Sequence, residues 1–189
     1  RLLDCAEYLL KDSFIDGAFF QDMIHSGLNA YLTLHVAQVL LRAGDPRYEE
    51  LMDAVADLAT PTGQWPEAIH PRTGGGGMGD GHHVWAAAGW VLMVRNCFVR
   101  EEGDRLILCA GIGERWLQGS PVVFGPAPTS FGPVSITLSP LSDTSIQIVL
   151  QTAWHAQEPA IDVRLPGYEP VTLERNATNV ILTKEEIPA

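Results

Sequence analysis

The sequence predicts an α+β protein, with a helical part over residues 1–101 and a β-rich part over residues 102–189. Three observations carry this expectation. Up to Arg100, apolar residues recur mainly at helical spacing. Beyond Glu102, prolines and glycines punctuate short runs rich in β-branched residues. Between two of the helical stretches lies one long connection, Thr60 to His82, rich in glycine and flanked by aromatic and ionisable residues.

Leu2, Leu3, Ala6, Leu9 and Leu10 predict a first helix over residues 1–11, broken by Asp12 to Gly17. In the second, Ser26 reads as the N-cap, and Leu28, Tyr31, Leu32, Val36, Val39 and Leu40 trace its apolar face. Ala30, Leu34, Ala37 and Leu41 widen that face, so the helix reads as buried on more than one side, with His35 as a hydrogen-bonded core histidine. Gly44 supplies a left-handed C-cap. Asp45 and Pro46 start the third helix, whose narrower stripe of Leu51, Val55 and Leu58 marks it as an outer helix. Val84 to Arg100 reads as a second inner helix, apolar almost all round through Trp85, Ala88, Val91, Leu92 and Val94. After it, Arg105 to Cys109 reads as a strand and Ile112 to Leu117 as a turn. Strands are expected at Val134 to Leu138, Ser145 to Gln151, Ile161 to Leu165, Val171 to Glu174 and Val180 to Thr183. Their length and spacing point to an antiparallel sheet or sandwich.

The chain has 189 residues, 46 % of them hydrophobic, enough for one large or two small domains with a packed core. A formal net charge of −11 argues against a nucleic-acid or anionic-membrane surface. No apolar run reaches bilayer-spanning length, and no signal-peptide pattern opens the chain. Cys5, Cys97 and Cys109 are odd in number and lack metal-ligand spacing, so they read as buried thiols of a reducing, cytoplasmic compartment.

Chemistry concentrates in the glycine-rich stretch. Six glycines fall in the eight positions from Gly74 to Gly81, beside Trp65, Glu67, His70, Asp80, His82, His83 and Trp85. Glycine loses more backbone freedom on folding than any other residue, so such a run next to reactive side chains reads as a site rather than a mobile loop. Glu67 follows Trp65 and Pro66, and Pro66 restricts Trp65 to extended backbone. A carboxylate beside an indole suits sugar chemistry: the ring stacks on the apolar face of a pyranose and the carboxylate handles protons at the anomeric centre. His70, His82 and His83 read as donors to sugar hydroxyls. Adjacent histidines on a helix diverge and no metal motif is present, so no metal or cofactor is expected. The glycine run lacks the lysine of a nucleotide-binding loop, although inorganic phosphate remains a candidate ligand. Asp80 reads as a second-site carboxylate or the cap of the following helix. Trp85 and Trp90 read as core.

The pattern PE-x-x-x-P-x-TG, here Pro66-Glu67 through Pro71 and Thr73-Gly74, followed by Trp85 to Ala88, resembles the clan of six-hairpin (α/α)6 glycosidases. That clan includes the glucoamylases and related sugar phosphorylases. The run Gly103 to Leu108, with Ile112 and Trp116-Leu117, is similar to its link from barrel to C-terminal β-domain. The resemblance spans about residues 20–120 in short motifs. It implies the last helices of an (α/α)6 barrel followed by an antiparallel β-sandwich-like domain. It also implies a glycoside hydrolase acting on an α-glucoside or similar oligosaccharide, with Glu67 as the general base that activates water. The general acid has no matching residue here, so the chain is expected to need the missing N-terminal part of the same polypeptide as its partner. The alternatives are a sugar phosphorylase of the same clan and a non-catalytic carbohydrate-binding or structural module.

Overall fold

The computed structural model describes residues 1–23, 26–79 and 81–185. The chain divides into two compact units, Arg1–Val94 and Arg95–Ala189. No helix among the described residues is long and apolar enough to cross a membrane.

The first unit begins with helix α1 (Leu2–Asp12), followed by strands β1 (Phe14–Ile15), β2 (Ala18–Gln21) and β3 (Gly27–Leu28). Helices α2 (Ala30–Ala43) and α3 (Arg47–Asp57) form an antiparallel hairpin, and strands β4 (Ala68–Ile69) and β5 (Gly76–Met78) precede helix α4 (Val84–Phe98). The short strands form one five-stranded sheet in sequence order, every neighbouring pair antiparallel.

Helix α2 starts later than Ser26 predicts. Gly27 and Leu28 belong to the sheet, and a Cβ on Gly27 would stand 3.0 Å from both the Ala68 Cβ and the Ile69 carbonyl oxygen. The cap is therefore Asn29, whose side chain accepts from the Leu32 N–H at 3.0 Å. Gly44 closes the helix in the left-handed region at φ 73°, as its sequence position predicts. Tyr31, Leu34, Val36, Ala37, Leu40 and Leu41 are buried, so α2 is an inner helix. His35, read as a core histidine, is exposed instead. It falls on the side of α2 that carries Trp85 rather than the hairpin core. In α3, Asp45 accepts from the Arg47 N–H at 3.0 Å, while its guanidinium reaches both Asp45 and Glu7 of α1.

Helix α4 departs from its reading as an inner helix covered on all sides. Ala86 and Met93 are buried, but Val84 (77 %), Val91 (67 %) and Leu92 (52 %) are exposed together with Trp85. Positions 84, 88, 91 and 92 share one side of a 3.6-residue helix, so these residues make a continuous apolar stripe. Stripes of this kind above roughly a few hundred Å² are uncommon on monomers. The protein is therefore expected to bind a hydrophobic dye and to self-associate in sedimentation. The double substitution Val91→Asp, Leu92→Asp should abolish both. A compact wild-type monomer silent to the dye would contradict this.

The second unit begins at Arg95 in the last turn of α4 and continues into strand β6 (Val99–Glu102), which turns through Gly103-Asp104 into β7 (Arg105–Leu108). The helix read as reaching Arg100 ends at Phe98, because Val99 begins a hairpin set by the tight turn at Gly103 (φ 63°). A 3-10 turn (Glu114–Leu117) follows, then β8 (Val122–Ala127), β9 (Val134–Ser142), β10 (Ser145–Thr152), β11 (Ala160–Val163), β12 (Val171–Thr172) and β13 (Asn179–Thr183). They form two four-stranded sheets, ordered β13-β10-β9-β8 and β12-β11-β7-β6. All pairs are antiparallel except β7 with β11, which run parallel. Alternation is clean along β9 and β10: Val134, Ile136, Leu138, Ile146, Ile148 and Leu150 are buried while their neighbours are not.

Asp162 of β11 is nearly buried and accepts from Arg105, Arg164 and the Thr172 hydroxyl. Burial alone would push its carboxyl up, but the three donors together outweigh it and hold the group below its ordinary value. Its contribution to stability is therefore present above the unfolded carboxylate range and is lost as pH falls through the lowered value. Cys97 and Cys109 are buried, and burial pushes the Cys109 thiol up to about 12. Cys5 was read as buried too, but it is exposed on the outer side of α1.

Candidate functional site

The segment from Trp65 to His83 is a strand hairpin rather than a shapeless loop. Its tip is closed by the His70 N–H donating to the Gly75 carbonyl at 2.8 Å and the Gly74 N–H donating to the His70 carbonyl at 2.9 Å. Two polar tethers hold this hairpin at the starts of α2 and α4. The Asn29 Nδ2 donates to the Glu67 carbonyl at 3.2 Å. The same amide donates to Gln21 Oε1 at 3.2 Å, while its oxygen caps α2. At the far end, the His83 N–H donates to the Trp65 carbonyl at 2.9 Å. Asn29 is fully buried, so one side chain sets both the start of α2 and the place of Glu67. Its signal in the sequence was an Asn directly before an apolar helical run, which Ser26 obscured.

Glu67 is half-buried. Its side chain lies against Gly79: a Cβ there would stand 2.8 Å from the Glu67 Cβ and 3.0 Å from Oε2. Gly79 also has φ +69°, a second reason for glycine at that position. Among the described residues, the Glu67 carboxylate has no hydrogen-bond partner. A carboxylate placed by its backbone and its packing, with no partner for its oxygens among the described residues, is a candidate general base.

The other expected site residues are distributed unevenly. Trp65 is 6 % exposed; its indole N–H donates to the Val55 carbonyl at 2.7 Å, and its ring lies 5.7 Å from Trp90. The expectation that Trp65 stacks on a sugar is therefore corrected. The indole is held instead by its bond to the Val55 carbonyl of α3 and by packing beside Trp90. His70 is exposed at the hairpin tip, its Nδ1 accepting from the Arg72 N–H at 3.2 Å. His82 is exposed and His83 half-buried. Asp80 lies outside the described residues.

Around His83 the structure assembles rings that sequence reading did not bring together. Tyr31 stacks on Trp85 with centroids 4.4 Å apart at 20°, and His83 lies 5.0 Å from Tyr31. His35 is 6.0 Å from Tyr31 and 6.1 Å from Trp85. Tyr31 and His35 are four apart on α2, and His83 and Trp85 open α4, so two helix faces make the cluster. Among the described residues, no three metal-ligating side chains converge.

Comparison with protein-family models, with curated proteins and with solved structures found no match for this chain.

Proposed function

We propose that this chain is the C-terminal part of a glycoside hydrolase acting on an α-glucoside or similar oligosaccharide. In this reading the helices of the first unit complete an (α/α)6 barrel, with Val84, Val91 and Leu92 on α4 covered by further helices and Trp85 left open. The two sheets of the second unit pack as a β-sandwich-like domain. Glu67 takes a proton from the attacking water as the water oxygen bonds to the anomeric carbon. The glycosidic C–O bond breaks, and the leaving oxygen receives a proton from a general acid elsewhere in the polypeptide. His70, His82 and His83 bind substrate hydroxyls.

The observation that carries this reading is the unpaired, half-buried carboxylate of Glu67, seated on a glycine that leaves room for it. The resemblance of its PE-x-x-x-P-x-TG frame to the six-hairpin clan supports the choice of substrate. The three free thiols fit a cytoplasmic location.

The same frame would serve a sugar phosphorylase if phosphate replaced water, and the exposed imidazoles of His70 and His82 at the glycine hairpin favour including it in the test. Oligosaccharide turnover by the parent polypeptide is measured with and without inorganic phosphate. Phosphate-independent release of free sugar is the expected result. Phosphate-dependent release of a sugar phosphate would replace the hydrolase with a phosphorylase, and binding without turnover would leave a carbohydrate-binding module. Neither binding nor turnover would overturn the carbohydrate reading altogether.

A further inference from the structure

Trp85 is 56 % exposed, yet its ring is not loose. It is stacked at 4.4 Å on Tyr31, and Tyr31 is itself buried in the first turn of α2, just after the Asn29 cap. The indole has thus already lost most of its rotamer freedom while keeping much of its surface in water. That is the condition under which a ligand gains from an apolar contact without ordering the side chain first. The rim of this platform is polar. His35 and His83 stand 6.1 Å and 6.5 Å from the Trp85 ring, and both are tilted to it rather than stacked. Among the described residues, the buried His83 Nδ1 has no hydrogen-bond partner.

A flat apolar ring bordered by neutral donors and acceptors matches a ligand that is apolar on its face and hydroxylated at its edge. A pyranose ring has that form: its axial C–H groups meet an indole face, and its equatorial hydroxyls reach outward to the imidazoles. We propose that Trp85, backed by Tyr31 and bordered by His35 and His83, is a stacking platform for a sugar ring. The role the sequence assigns to Trp65 thereby passes to a different tryptophan. The proposal rests on the carbohydrate reading above, but it concerns binding and not the proton transfer at Glu67.

The test is titration of the 189-residue protein with maltotetraose, followed by calorimetry and by the indole N–H resonances. Trp85→Ala is expected to weaken binding roughly tenfold, the fold-change that corresponds to an aromatic stacking contact. Trp85→Phe, which keeps a flat ring, should stay within about threefold of wild type. The melting temperatures of both variants should match wild type, which separates lost stacking from lost folding. Wild-type affinity in a folded Trp85→Ala would overturn the platform. So would a loss of self-association in that variant with sugar binding intact, which would make Trp85 part of a protein interface. Should Trp85→Ala bind normally while Glu67→Gln loses turnover, the platform falls and the base stands. The reverse pattern removes the base and keeps the platform. Absence of binding by the wild type would overturn the platform, while the role of Glu67 is read separately from turnover of the parent polypeptide.

Discussion

Replacing Glu67 with glutamine in the parent polypeptide is expected to lower the turnover number by about two to four orders of magnitude, the usual cost of losing a general base. The amide keeps the volume of the carboxylate but accepts no proton at working pH. Folding should be nearly untouched, within about 0.5 kcal/mol, because no hydrogen bond to the carboxylate from the described residues is lost. The seat of the side chain also survives, since Gly79 accommodates either group equally well. Single-turnover kinetics and a thermal melt of the same variant check the two halves together. Turnover within about threefold of wild type would remove Glu67 from the mechanism.

Asn29→Ala is expected to have the largest effect on stability in the first unit. Losing an N-cap costs about 1 kcal/mol. Here the truncation also leaves the Gln21 side chain and the Glu67 carbonyl without their donor. Both groups are only part-buried, so each adds about 1 kcal/mol, the low end for an unmatched group, and with the cap a total of about 3 kcal/mol is expected in denaturant unfolding. Asn29→Asp separates the two roles. It keeps the acceptor that caps Leu32 but removes the donor to Glu67. It should therefore keep only the cap's share of the stability and lose the share carried by the two donated bonds, while lowering turnover. If Asn29→Asp and Asn29→Ala lose stability equally, the cap is not what Asn29 contributes.

The helices were legible because their information is local. Gly44 lies just past the last periodic residue of α2 and adopts the left-handed cap. β9 and β10 were legible for the same reason, each alternating buried and open positions along a single run. What the sequence did not disclose was non-local pairing. Residues 27 and 28 look like the start of a helix, but they pair with β2 and β4, which moves the cap from Ser26 to Asn29. The glycine-rich stretch looks shapeless, but residues 76–78 pair back onto β4 and turn it into a hairpin.

The site shows the same divide. Glu67 stood out through its local context, whereas the two tryptophans exchanged places. Periodicity marks Trp85 as lying on an apolar face of α4 but not whether anything covers that face. Composition marks Trp65 as a neighbour of Glu67, but not that its indole reaches Val55. His35 illustrates the same limit: its helical position was read correctly, and the side of α2 that ends up covered was not.

The proposed role of the Glu67 carboxylate is to accept a proton from the nucleophile that attacks a sugar. Chemical rescue tests it most directly. In the parent polypeptide, Glu67→Ala removes the carboxylate and opens space beside Gly79. Added formate, a small carboxylate able to occupy that space, is expected to restore oligosaccharide turnover in a concentration-dependent way while leaving the wild type unchanged. Wild-type turnover in Glu67→Ala without formate would contradict the account.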